Sequence, residues 1–104
     1  MLVLPSKVAP LWNQFLRQNK DIVFKYIVRQ IRKGILEHKK KIDLFRFEDD
    51  DQIATVPKEN FLFALEDAKR EFVKKELYEM AQYTQEVIDL YHIEQLILDT
   101  SKEA

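Results

Sequence analysis

Cysteine is absent from this chain. That removes disulfides, thiolate metal sites, iron–sulfur clusters and thiol nucleophiles together, and it fits a reducing compartment. Glycine occurs once, at Gly34, and proline three times, at Pro5, Pro10 and Pro57. So little turn chemistry argues against an all-β fold built on tight hairpins. It also leaves no glycine-rich loop in which backbone N–H groups could cradle a phosphate, so the GxGxxG and Walker-type nucleotide motifs are missing. Long apolar runs are lacking as well. No stretch approaches the ~18 uninterrupted apolar residues of a spanning helix, and Met1–Leu4 is too short for a signal-peptide core. A soluble, intracellular, cytoplasmic protein is expected.

What is present suits a single domain. The chain has 104 residues, 46% hydrophobic and 34% charged, which is too apolar for a disordered segment and long enough to bury one core. From Lys58 to Ala104 there is neither glycine nor proline, so nothing there forces the backbone out of a helix. Charge is unevenly laid out. Residues 1–41 carry ten Lys/Arg against Asp21 and Glu37, a net of +8, and residues 42–104 carry seven against sixteen acids, a net of −9. Either a basic helix packs beside an acidic one, or two patches serve different partners.

In the first segment Leu4, Val8, Leu11, Trp12, Phe15 and Leu16 recur at helical spacing, predicting a short helix from about Pro10 to residue 18, with proline in its first turn. Acids are missing before Asp21 while Lys7, Arg17 and Lys20 are basic, a pattern similar to a mitochondrial targeting helix. The competing reading is a first helix that caps the core with Trp12 and Phe15.

Asp21 is a suitable N-cap for a second helix. At 100° per residue Val23, Phe24, Ile27, Val28, Ile31 and Ile35 fall in one arc, with Lys25, Arg29, Arg32, Lys33, Lys39 and Lys40 opposite. That is an amphipathic helix with a basic back. Ile42 and Phe45 continue the same phase, which predicts a helix over 21–45; the alternative is a strand over 41–47 paired with 53–56. Gly34 lies in the apolar arc, where its missing side chain would let another helix approach closely. His38 lies there too and reads as a satisfied core residue.

Pro57 opens the last helical segment after the run Glu48–Val56. Phe61, Leu65, Ala68, Phe72, Leu77, Met80, Tyr83, Val87 and Tyr91 form a broad apolar band, giving a helix over 58–98 with a break near 82–85 where Thr84 could cap a second piece. The second and third helices would form a long hairpin. Val87, Ile88, Leu90, Tyr91, Ile93, Leu96 and Ile97 span too wide an arc for a lone surface helix. That cluster either closes the core or meets another protein.

With Asp49 at loop position 1, Asp51 stands at position 3, Val56 at the apolar position 8 and Asn60 at position 12, while Phe45 precedes the loop and Phe61, Ala64 and Leu65 follow it. Residues 42–68 thus resemble a degenerate EF-hand. The resemblance implies a helix–loop–helix that has kept its packing and lost its ion. Calcium loops want an oxygen ligand at position 5, glycine at 6 and a bidentate Glu at 12, and this chain has Ile53, Ala54 and Asn60 there.

Catalytic patterns are missing from the sequence. His38 and His92 stand far apart, the serines are Ser6 and Ser101 near the ends, and HExxH spacing is absent. No catalytic, cofactor-binding or metal-ligating residue is assigned. The reading is an all-α protein of three or four helices, non-enzymatic, that binds a protein partner or a second copy of itself as a structural or adaptor subunit. Candidate contact residues are Lys25, Arg29, Arg32, Lys33 and Lys40 on the basic flank, and Tyr91, Ile93, Leu96 and Ile97 near the end. Nucleic-acid binding through residues 25–41 is the alternative. Against it stand the sixteen acids after residue 41, which would repel the same polyanion.

Overall fold

The computed structural model describes residues 1–103. Along the chain lie β1 (Leu2–Leu4), a 3-10 turn (Ser6–Val8), α1 (Ala9–Gln18), α2 (Lys20–Leu36), β2 (Lys41–Phe47), β3 (Ala54–Pro57), a second 3-10 turn (Lys58–Asn60), α3 (Phe61–Lys74) and α4 (Tyr78–Glu103). The architecture is α+β, not all-α: four helices accompany a three-stranded mixed sheet. The sheet order is β1-β2-β3, with β1 parallel and β3 antiparallel to β2.

The helix expected over 21–45 stops at Leu36 because of how its last turn is closed. His38 adopts φ 55°; its N–H donates to the Ile35 carbonyl at 3.1 Å and the Lys39 N–H to that of Gly34 at 2.9 Å. This pair of bonds is a Schellman ending, which satisfies the orphan carbonyls and turns the chain aside. Beyond it Ile42 and Leu44 are buried while Lys41 stays exposed, the alternation of a half-buried strand. The hairpin over 41–56, weighed as the alternative, is what forms. An irregularity at Leu44 separates the Asp43–Thr55 and Phe45–Ala54 pairs. Such a bulge breaks strict alternation, and Leu44 and Phe45 accordingly line the same cavity.

Gly34 keeps ordinary helical backbone, although its carbonyl accepts the Lys39 bond that closes the turn. A Cβ built on it would lie 2.5 Å from Ile42 Cγ2 and 3.5 Å from the Phe61 ring, so the missing side chain is what lets β2 and α3 close onto α2.

The last segment is two helices, and their junction is Lys75–Leu77, not residues 82–85. Glu76 adopts φ 60°, its N–H donating to Val73 at 3.0 Å and that of Leu77 to Phe72 at 2.8 Å, a second Schellman ending. Thr84 caps nothing: it is fully buried in α4 and its hydroxyl donates to the Met80 carbonyl at 2.7 Å, a bond that satisfies threonine inside a helix. The helical hairpin is therefore α3 with α4, where Lys69 Nζ donates to Gln85 Oε1 at 2.7 Å across an antiparallel pair.

The core follows the helical spacing of the sequence. Val28, Ile31 and Ile35 of α2 meet Ile42 and Leu44 of β2, Phe61, Leu65, Ala68 and Phe72 of α3, and Ala81, Val87 and Ile88 of α4. Each fully buried large side chain among these contributes on the order of 2 kcal/mol by leaving water. Trp12 of α1 stacks on Phe15 with centroids 5.7 Å apart and meets Phe45 edge-on at 5.0 Å, which seats α1 on β2 outside that core.

Candidate interaction surfaces

The basic flank of α2 stays open to solvent. Arg29, Arg32, Lys33 and Lys40 are exposed and Lys25 is half-buried, and among the described residues none of the five makes an ion pair. Contact between α2 and α3 does include one bridge, Lys75 Nζ to Asp21 Oδ1 at 3.7 Å, in which the acid belongs to α2 and the base lies at the end of α3. Pairing of a basic α2 with an acidic neighbour is thus not what joins the helices; apolar side chains do that. Most of the acids after residue 41 lie elsewhere, in the turn after β2 and along α3 and α4, with Asp43 on β2 and Glu59 in the turn before α3.

The second group of contact residues gathers on the C-terminal half of α4. Ile93, Leu96 and Ile97 are 54%, 68% and 60% exposed, whereas Tyr91 is half-buried against the core. One α-helix cannot turn Leu90, Tyr91, Ile93, Leu96, Ile97 and Leu98 toward a single neighbour, because together they cover most of its circumference. Leu36, at the end of α2, is also exposed. It joins Leu90, Ile93 and Ile97 in lining an apolar groove of about 200 Å³ between α2 and α4.

At the floor of that groove lies a polar cluster that sequence reasoning missed. Glu94 is buried, with a side chain 6% exposed; Oε2 lies 3.2 Å from His38 Nδ1, and Oε1 pairs with the Lys58 ammonium. His38 is not a core residue, since its side chain is 74% exposed. Its ring leans on Glu94 from outside because the left-handed backbone at His38 lifts it off the apolar face of α2. A histidine held by a carboxylate is the orienting half of a hydrolytic triad, but among the described residues no hydroxyl bonds to this ring. The cluster instead pins three elements together: the turn after α2, the 3-10 turn before α3, and α4. Its one sequence signal is an acid standing alone inside the apolar run Leu90–Leu98.

A further apolar cavity of about 340 Å³ lies beneath α1, lined by Leu4, Trp12, Leu16, Tyr26, Leu44 and Phe45 among others. Tyr26 closes one side, its hydroxyl donating to the Leu44 carbonyl at 2.8 Å. Burial pushes its pKa above the ordinary 10.0, partly offset by a backbone hydrogen bond with Leu2.

The acidic turn Glu48–Asp51 is exposed and folds on itself through a Gln52 N–H donated to Asp50 Oδ1 at 2.9 Å. The residues that the EF-hand resemblance assigns to an entering helix are strand β2, and β3 falls within the Asp49–Asn60 stretch. Among the described residues no three His, Asp or Glu side chains are grouped as metal ligands, and no helix is long and apolar enough to cross a membrane.

No family model, curated protein or solved structure matches the chain. The functional reading therefore rests on this geometry.

Proposed function

We propose that the chain is a non-enzymatic protein-interaction module, a small structural or adaptor subunit that docks through the C-terminal half of α4 and the adjoining end of α2. The observation that carries the reading is the exposure of Ile93, Leu96 and Ile97 beside Leu36. Scattered exposed apolar residues are ordinary, but a contiguous set flanking a groove marks a contact surface. The buried Glu94 cluster supports the reading by holding the groove's two walls in fixed relation, since a preorganised surface loses less entropy on binding.

Affinity capture with the full chain tests it. A protein retained by the wild type should be lost from Ile93→Glu/Ile97→Glu and kept by Phe63→Ser, which alters an exposed aromatic on α3. Equal retention by all three would overturn the assignment of the face.

A second reading is favoured by the unpaired cations of α2: Arg29, Arg32 and Lys33, with Lys25 and Lys40, offer a phosphate backbone a row of charges. Its mark would be affinity for nucleic acid whose logarithm falls linearly with log salt and which Arg29→Glu/Arg32→Glu/Lys33→Glu removes. The net charge of −1 and the acidic second half weigh against it.

A further inference from the structure

Resting on that docking reading, we propose that the occupant of the α4 face is a second copy of this chain, paired about a two-fold axis that runs parallel to α4. Three observations converge on it.

The first is the pattern of the face. Leu90, half-buried against the core, and the exposed Ile93 and Ile97 repeat at steps of three and four, the spacing of a coiled-coil seam in which like positions of two parallel helices meet. Leu36 stands on one border of this seam, across the groove. Leu96 stands on the other, since it lies 100° past Ile97 on the side away from Glu94. A two-fold axis along the seam brings each border against the opposite border of the second copy, so Leu96 covers Leu36 twice over. Glu86, one heptad before Ile93, would set two carboxylates together, which fixes the upper end of the seam at Leu90.

Charge follows the same symmetry. Asp89 lies on the Leu96 border, and its described side-chain contact is a hydrogen bond from Gln85. Lys40 follows in the exposed turn after His38, while Lys39 pairs with Glu37 at 3.3 Å. The axis that joins unlike borders sets Asp89 of each copy toward the basic turn of the other, the pairing that flanking charges make in parallel coiled coils. An antiparallel pairing would instead join like borders, acid to acid and base to base.

The third observation is area. The chain exposes 7368 Å², whereas a compact monomer of 12.5 kDa exposes about 6,200 Å². The excess of roughly 1,200 Å² exceeds the ~800 Å² that each partner contributes to a standard interface. Its radius of gyration, 15.3 Å, is likewise larger than the roughly 13 Å of a compact domain of this length. The Cα atoms span 52 × 36 × 15 Å, an elongated body with much surface for its volume.

The chain has no cysteine, so single-cysteine variants report contact directly. Ile93→Cys and Ile97→Cys, each made alone, should both form a disulfide-linked dimer on mild oxidation, while Phe63→Cys on α3 should not. Sedimentation of the wild type from micromolar to near-millimolar concentration should show a dimer, and the mass should halve in Ile93→Glu and in the border variant Leu96→Lys, with far-ultraviolet circular dichroism unchanged. A wild type that stays monomeric overturns the proposal, as does a dimer that persists in both variants. Cross-linking at Ile93 or Ile97 but not both overturns the parallel axis and the proposal with it. If the monomeric wild type still captures a protein that Ile93→Glu/Ile97→Glu loses, the second copy is wrong and the docking reading stands; if capture is indifferent to those substitutions, both fall.

Discussion

Glu94 and Lys58, thirty-six residues apart, form a contact in which the buried carboxylate of α4 meets the ammonium that opens the turn before α3. His38 closes the other side of the same carboxylate at 3.2 Å. The two partners are unequal. Lys58 is 20% exposed and His38 is 74% exposed, so losing the lysine leaves a buried negative charge with one solvated neighbour.

Lys58→Met should therefore cost about 3 kcal/mol, the penalty of an uncompensated buried ion. His38→Asn should cost about 1 kcal/mol or less, since an exposed pair is weak and asparagine tolerates the left-handed backbone. Urea denaturation of both variants checks the order; equal losses would show that the cluster is not organised around Lys58.

Gly34→Ala is expected to destabilise despite alanine's better helix propensity. The added Cβ would sit 2.5 Å from Ile42 Cγ2, a branch that cannot swing aside without moving β2. Overpacking of this kind costs ~1–3 kcal/mol, against a propensity gain of ~1 kcal/mol. The thermal midpoint should fall.

Glu76→Gly should raise stability. Glu76 holds φ 60° at the end of α3, where a non-glycine residue pays roughly 1 kcal/mol or more. Glycine removes that strain but adds freedom to the unfolded chain, so the net gain should be about 0.5–1 kcal/mol. A lowered urea midpoint would mean that the Glu76 side chain contributes something the geometry does not reveal.

Tyr26→Phe tests the cavity wall. At neutral pH it removes the hydrogen bond to the Leu44 carbonyl and should cost about 1 kcal/mol. The folded-state pKa of Tyr26 is raised above 10.0, so the fold prefers the neutral phenol. That preference is fully present below the unfolded-state value and is lost as pH rises through the folded-state one. The wild type should lose stability more steeply than Tyr26→Phe above about pH 10, and parallel curves would contradict the assignment.

Much of the core was legible because helical period and burial coincide. Val28, Ile31 and Ile35, then Phe61, Leu65, Ala68 and Phe72, are all buried as their spacing implies. The helix ends were not, because His38 and Glu76 adopt left-handed backbone where sequence rules look for glycine, while Gly34 is spent on close packing. Because Ile42 and Phe45 continue the phase of α2, helix and strand competed over 41–47, and the strand reading, weighed second, is the one that forms. Nothing local announces β1 either: Leu2–Leu4 is defined by its pairing with Phe45–Phe47, far along the chain. The apolar excess of α4 could be read from its wide arc. Its neighbours Leu36 and His38 could not, since their place beside α4 depends on where α2 ends.

The central claim is that Ile93 and Ile97 belong to a contact surface and not to the core of the isolated chain. Denaturant unfolding of Ile93→Glu/Ile97→Glu at high dilution tests this most directly. The unfolding free energy should stay within about 1 kcal/mol of the wild type, as for surface substitutions. A loss of several kcal/mol, the scale of charges forced into a packed interior, would place both side chains in the core and contradict the account.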